Sequence, residues 1–274
     1  MKISLSVRVA EAFSNKRVMD IALPELAHMA AASGFDALCM RASAVGIHST
    51  PEAVAVVRQQ MDELGLAVSM VTGDFSVPEN SEAGPNCLRN ITPFLDLAEV
   101  LGSDLIRTCI KHEDNLPFAQ RAADEAQERG IRLAHQSHTL SLFETVDGSL
   151  DVLNRINRPN FGLIYEPANL AICGQDYGVE TLQRFAPYLF NVYVQNHVPD
   201  PQGAMPMNTW TRGEVMTTLR PLDAQDGIDF ALMVEGLRAI GYRGYITSHQ
   251  ALVAGAEPHD AIGRYARWLR DLIQ

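Results

Sequence analysis

Short apolar runs rich in β-branched residues alternate along the chain with longer stretches whose apolar residues return every three or four positions. The short runs predict strands at 2–9 (KISLSVRV), 35–41 (FDALCMR), 66–72 (LAVSMVT) and 104–110 (DLIRTCI), then at 131–136 (IRLAHQ), 161–166 (FGLIYE), 190–196 (FNVYVQN) and 244–249 (GYITSH). The amphipathic stretches predict helices over 20–33, 50–65, 90–102, 115–130, 229–241 and 258–273. Their ends carry the expected signals: Thr50 precedes Pro51 as an N-cap would, and a glycine stands before several strands, as at Gly34, Gly102 and Gly241. Alternation of this kind builds a parallel sheet. Eight units in 274 residues fit a closed (β/α)8 TIM barrel better than an open doubly wound sheet, so residues 1–274 read as one barrel domain. No G-x-G-x-x-G follows the first strand, and no nucleotide cofactor is expected.

One connection breaks the rhythm. Residues 197–228 follow the seventh strand and hold three prolines before Trp210. Long connections in compact domains tend to be lids or mobile segments, and a loop after a barrel strand lies on the active face, so this one is expected to be a lid.

Composition narrows the function. With 22 basic and 33 acidic residues the formal net charge is −11, which disfavours nucleic acid and anionic membranes as partners. The four cysteines, Cys39, Cys87, Cys109 and Cys173, form no C-x-x-C pair, so neither a disulfide framework nor a thiolate zinc site is expected. No apolar run is long enough to span a bilayer, and the expected location is the cytoplasm.

Chemistry in such barrels sits at the C-terminal ends of the strands, where residues two apart share a face. One face carries Ala134, Gln136 and His138 on strand five and Gly162, Ile164 and Glu166 on strand six; another carries Tyr193, Gln195 and His197 on strand seven and Tyr245, Thr247 and His249 on strand eight. If these faces point inward, one carboxylate, three imidazoles and two amides meet at the mouth. His135 falls on the opposite face and reads as structural. Arg107 and Arg41 end strands four and two, where either can meet a substrate oxygen or carboxylate. Trp210 and Arg212 in the long loop suit stacking on a sugar ring and gripping an anion. His48, Asp74 and Lys111 are weaker pocket candidates.

With the motifs LAHQSH, GLIYEPANL, YVQN and GYITSHQ in these places, the chain resembles the xylose-isomerase-like barrels over almost its whole length. That superfamily includes sugar isomerases, ketose 3-epimerases, inosose dehydratases and apurinic endonucleases. The resemblance implies a small carbohydrate substrate and a divalent ion bound by three carboxylates and an imidazole. Here the pattern departs from the family: Gln136 stands for a glutamate on strand five, Glu166 and Asn169 for an Asp and His/Asn pair on strand six, Gln195 and Asn196 for a Lys-Asp on strand seven, and His249 for a glutamate on strand eight. One divalent ion, if held, would use Glu166, His249, Gln136 and His197. The loss of carboxylates favours manganese, zinc, iron, cobalt or nickel over magnesium.

The amide of Gln136 cannot titrate, so proton chemistry is expected at Glu166 and His249, the latter with an ordinary pKa near 6.5. His138, Asn169, Gln195, Asn196, Arg107, Trp210 and Arg212 are the expected substrate contacts. The leading function is isomerisation or epimerisation of a small carbohydrate, keto-sugar or cyclitol. A lyase or dehydratase sharing the same proton abstraction, and a non-catalytic sugar-binding barrel, are the alternatives. Barrels of this kind also pair through their outer helices, although no interface signature marks a homo-oligomer here.

Overall fold

The computed structural model describes all 274 residues. Eight parallel strands close into a barrel: β1 (Lys2–Ser6), β2 (Ala37–Met40), β3 (Ala67–Val71), β4 (Leu105–Thr108), β5 (Arg132–Gln136), β6 (Phe161–Tyr165), β7 (Leu189–Val194) and β11 (Tyr245–Ser248). Ring closure is direct, Ile3 of β1 standing beside Ile246 of β11. The strands are buried on both faces, which is why they read as apolar runs rather than as alternation.

Helices fill the outer ring and meet the strands through a buried cluster of 68 residues. The helix Pro51–Glu63 begins where its sequence demands, with Thr50 Oγ1 accepting from Ala53 N at 3.3 Å and Pro51 at the first position. The helices Leu23–Ser33 and Thr92–Leu101 stop at Gly34 (φ 85°) and Gly102 (φ 68°), left-handed positions where a side chain is strained. The last helix, Pro258–Ile273, seals the barrel through Ala261, Ile262, Tyr265, Ala266 and Leu269, a stripe at helical spacing. No helix is long and apolar enough to cross a membrane.

Three departures from the sequence pattern matter. Strand β1 ends at Ser6 rather than Val9, because Ser6 Oγ accepts from Arg8 N at 3.2 Å and opens a 3-10 turn over Val7–Ala10. Four further helices, Asn86–Arg89, Val146–Ile156, Pro167–Ile172 and Val179–Phe185, occupy connections that the periodicity left unassigned. The connection after β7 is an antiparallel sheet of β8 (His197–Pro199), β9 (Met205–Thr209) and β10 (Gly213–Leu219), in the order β8-β10-β9.

Candidate active site

Just beneath the barrel mouth lies a small apolar layer made by Cys39, Met70, Leu105, Ala134, Ile164 and Tyr193. Two residues further along the same strands the inward side chains become Arg41, Thr72, Arg107, Gln136, Glu166 and Gln195. Strand alternation alone dictates this change, since residues i and i+2 share a face. Above that ring is a cavity of about 220 Å³. It is lined by Gln136, His138, Asn169, Gln195, His197, Arg107 and His249, all expected from the sequence. The antiparallel sheet covers it with Met205, Met207 and Leu219, as a lid would.

Glu166 is fully buried at the end of β6 and does not itself line the cavity. Gln136 and Gln195 donate their side-chain N–H groups to its two carboxylate oxygens, and Asn169 Nδ2 adds a bond of 2.9 Å. These three amides lie between Glu166 and the cavity. Burial pushes the Glu166 carboxyl up to about 8, against the pull of the Arg107 charge and the Gln195 hydrogen bond. Glu166, expected as a base at the cavity surface, is therefore a buried hub that orients amides. With its N–H turned to Glu166, Gln136 leaves Oε1 buried without a partner in the wall of the cavity.

His249 does line the cavity and is rigidly held. Its ring stacks on Tyr193, with centroids 3.8 Å apart and planes 6° apart, and Nδ1 lies 2.9 Å from Ser6 Oγ. Burial first, then the charges of Arg41, Arg107, Arg8 and Lys16, hold its pKa well below 6.5, so the ring is neutral at pH 7. His138 and His197 are also neutral, their pKa values lowered by burial to about 3 and about 4. His138 Nδ1 is 2.8 Å from Thr139 O, and His197 Nε2 is 2.6 Å from Thr217 Oγ1 on the covering sheet. His135 faces outward as expected, stacked on Phe143 at 4.3 Å.

Four cations line the same cavity: Arg8, Lys16, Arg41 and Arg107. Arg8 and Lys16 are not singled out by the sequence pattern. They arrive because the turn after Ser6 carries the following loop over the mouth, and Lys16 Nζ bonds Pro78 O at 3.3 Å. Burial, followed by the charges of Arg41, Arg8 and Arg107, lowers the Lys16 pKa to about 8. Arg41 donates through Nε and Nη2 to the two oxygens of the buried Glu11, at 2.6 and 3.0 Å, which leaves Nη1 unpaired. Arg107 has no such partner: its Nε is buried without any hydrogen bond, and the Tyr193 ring lies 5.9 Å from its Cζ.

Three expected substrate contacts lie elsewhere. The buried Asn196 staples the loop, donating to Pro221 O and Asp226 O and accepting from Ile228 N. Trp210 is half exposed and stacks on His112 at 6.1 Å, while Arg212 donates to Ile172 O at 3.0 Å. The turn they form is pinned by Glu144, which accepts from Trp210 N at 2.7 Å and Thr211 N at 2.9 Å. The motif NTWTRG thus anchors the covering sheet and lies outside the cavity lining. The weaker candidates His48 and Lys111 are also engaged outside the cavity, with Phe75 and with Glu82 respectively.

The residues present do not fit the divalent ion that the resemblance implies. Nowhere do three or more His, Cys, Asp or Glu side chains converge as an ion would need, Glu166, His249 and His197 included. The one carboxylate is already satisfied through both oxygens by amide N–H groups. Arg8, Lys16, Arg41 and Arg107 around it repel a dication.

Comparison with known proteins agrees with the fold. The chain is similar to the 3-DHS dehydratase AsbF from Bacillus anthracis, described as probable and as involved in petrobactin synthesis, with 15% identity, TM-score 0.72 and coverage of 98% of this chain and 99% of that one. A D-allulose 3-epimerase from Methylomonas sp., in complex with D-allulose, gives 16% identity, TM-score 0.70 and coverage of 99% and 96%. A xylose isomerase-like barrel protein from Mycobacterium smegmatis, in complex with magnesium, gives 14% identity, TM-score 0.70 and coverage of 99% and 96%. The chain spans only 42% of a longer fusion of such a barrel with a 4-hydroxyphenylpyruvate dioxygenase. No curated protein matches the chain. The family model described as xylose isomerase-like TIM barrel matches residues 27–272, and the chain belongs to that family.

Proposed function

We propose that this barrel moves a proton at the carbon beside a carbonyl group of a small hydroxylated substrate, isomerising or epimerising it. The observation that carries the reading is His249: a neutral imidazole, fixed by Ser6 and Tyr193, opening on the same cavity as Arg107 and Gln136. A neutral ring is the form that accepts a proton, and an oriented base contributes roughly 10²–10⁴ in rate. As His249 takes the C–H proton, the electron pair moves onto the carbonyl oxygen to give an enediolate. The Arg107 guanidinium supplies the positive charge that this oxygen needs. Gln136 Oε1 and the amides of Gln195 and Asn169 orient the flanking hydroxyls, with Glu166 as their positioning residue. Return of the proton to the former carbonyl carbon, with the adjacent hydroxyl proton passing to the first oxygen, gives the isomer, and return to the opposite face of the original carbon gives the epimer.

A second reading, dehydration, is favoured by Lys16. With a pKa near 8 it is mostly protonated at pH 7 and can hand a proton to a departing hydroxyl after the same first step. Solvent deuterium separates the readings. Its incorporation into a keto-sugar without loss of water supports isomerisation, and incorporation with release of water supports dehydration. Sugar binding with no exchange under any condition would leave a binding barrel and defeat both.

A further inference from the structure

We infer that the substrate of this site carries an anionic group, a carboxylate or a phosphate monoester, and that Arg107 holds it together with the free prong of Arg41. Two buried guanidinium nitrogens, Arg107 Nε and Arg41 Nη1, have no hydrogen-bond partner, and both side chains line the cavity. A buried donor left unmade is costly, and a buried charge without a counterion more so, unless a ligand supplies the partner. Arg41 is partly answered by Glu11, which also accepts from Ser43 at 2.7 Å and lies 3.5 Å from Arg8. Arg107 is answered by nothing.

The balance of charge points the same way. Four cations, Arg8, Lys16, Arg41 and Arg107, converge on the cavity, against Glu11 and a Glu166 hidden behind amides. That excess sits in a chain whose formal net charge is −11, so it is local. An enediolate oxygen offsets one of these charges only while it exists during turnover. A permanent anion on the substrate offsets it in the bound ground state as well. The cavity, at about 220 Å³, is below the usual range of ligand sites and admits a compact molecule such as a sugar acid or a small sugar phosphate. The planar fork of arginine matches both head groups through paired hydrogen bonds.

The inference rests on the proton-transfer reading for the reaction alone, because binding can be measured without turnover. Calorimetric titration of the full chain would compare D-glucuronate with D-glucose and D-ribose 5-phosphate with D-ribose. At least one acid is expected to bind about 30-fold tighter than its neutral counterpart, the range of a charge-assisted hydrogen bond. Which pair shows the difference assigns the head group. Arg107→Gln should bring the acid-to-neutral affinity ratio down toward one, and Arg107→Lys should restore part of it. Equal binding of acid and neutral forms, or no binding of either acid to the folded wild-type chain, overturns the inference. Acid binding without deuterium exchange would defeat the proposed reaction and leave the anion site standing. Exchange on neutral keto-sugars with no tighter binding of either acid would do the reverse.

Discussion

Two layers of the same barrel, one residue pair apart, behave as different materials. The lower layer of Cys39, Met70, Leu105, Ala134, Ile164 and Tyr193 is apolar and buried. The upper layer, reached by one alternation along each strand, gathers Arg41, Arg107, Gln136, Glu166, Gln195 and His249, and it leaves buried polar atoms unpartnered at Arg41, Arg107 and Gln136. A native interior rarely tolerates such atoms, and here they cluster at the end of the barrel where ligands bind. The lower layer holds the strands together, and the upper layer spends part of that stability on charge and unsatisfied donors. Interference with either layer should therefore leave a distinct signature.

The largest effect is expected at His249. His249→Ala should lower exchange of solvent deuterium by about 10²–10⁴-fold, with thermal stability little changed, as a rate assay beside a melting curve would show. In the lower layer the signature inverts. Ile164→Ala should cost about 2–5 kcal/mol by denaturant unfolding through the cavity it opens, with residual activity tracking the folded fraction. Acid sharpens the contrast further. His138, His135 and His197 have pKa values lowered by burial to about 3, about 4 and about 4. Unfolding releases them to about 6.5, so the unfolded chain binds more protons as pH falls. Their contribution is complete above that value and is lost on the way down toward pH 4. Glu166, raised to about 8, works in the opposite sense, its contribution being lost as pH rises from its unfolded value toward 8. Three imidazoles outnumber one carboxyl, so the melting temperature should fall between pH 7 and 5; a flat profile would mean that these rings are not buried neutral.

Smaller effects test the boundary of the upper layer. Gln136→Glu removes an amide donor from the buried Glu166 and sets a second carboxyl beside it, and should cost roughly 1–3 kcal/mol in denaturant unfolding. Unchanged stability would show that Gln136 does not hold Glu166 in place. Trp210→Ala, outside the cavity, should change kcat/KM less than about twofold, consistent with a surface substitution of within ~0.5 kcal/mol.

Most of the upper layer was legible in the sequence because parallel strands impose a rule. Once a strand end is located, its inward residues follow by alternation, which is how Gln136, Gln195, Arg107 and His249 were reached. Arg8 and Lys16 escaped because Ser6 ends β1 early, and their place over the mouth depends on a loop whose path no periodicity records. Glu166 was located on the right face but at the wrong depth. The three amides that fold over it are a matter of side-chain packing, decided only once β5, β6 and β7 meet. Asn196, Trp210 and Arg212 fall outside the cavity lining for a related reason: their partners, the loop carbonyls, Ile172 O and His112, lie on segments that sequence spacing does not bring near them.

The most direct test of the account is deuterium exchange at the carbon beside the carbonyl of a keto-sugar acid, followed by proton NMR in wild-type and His249→Gln chains with and without added manganese. The account predicts exchange by the wild type without added metal and a loss of at least about 10²-fold in the variant. Exchange that appears only with manganese, or that survives His249→Gln, would contradict it.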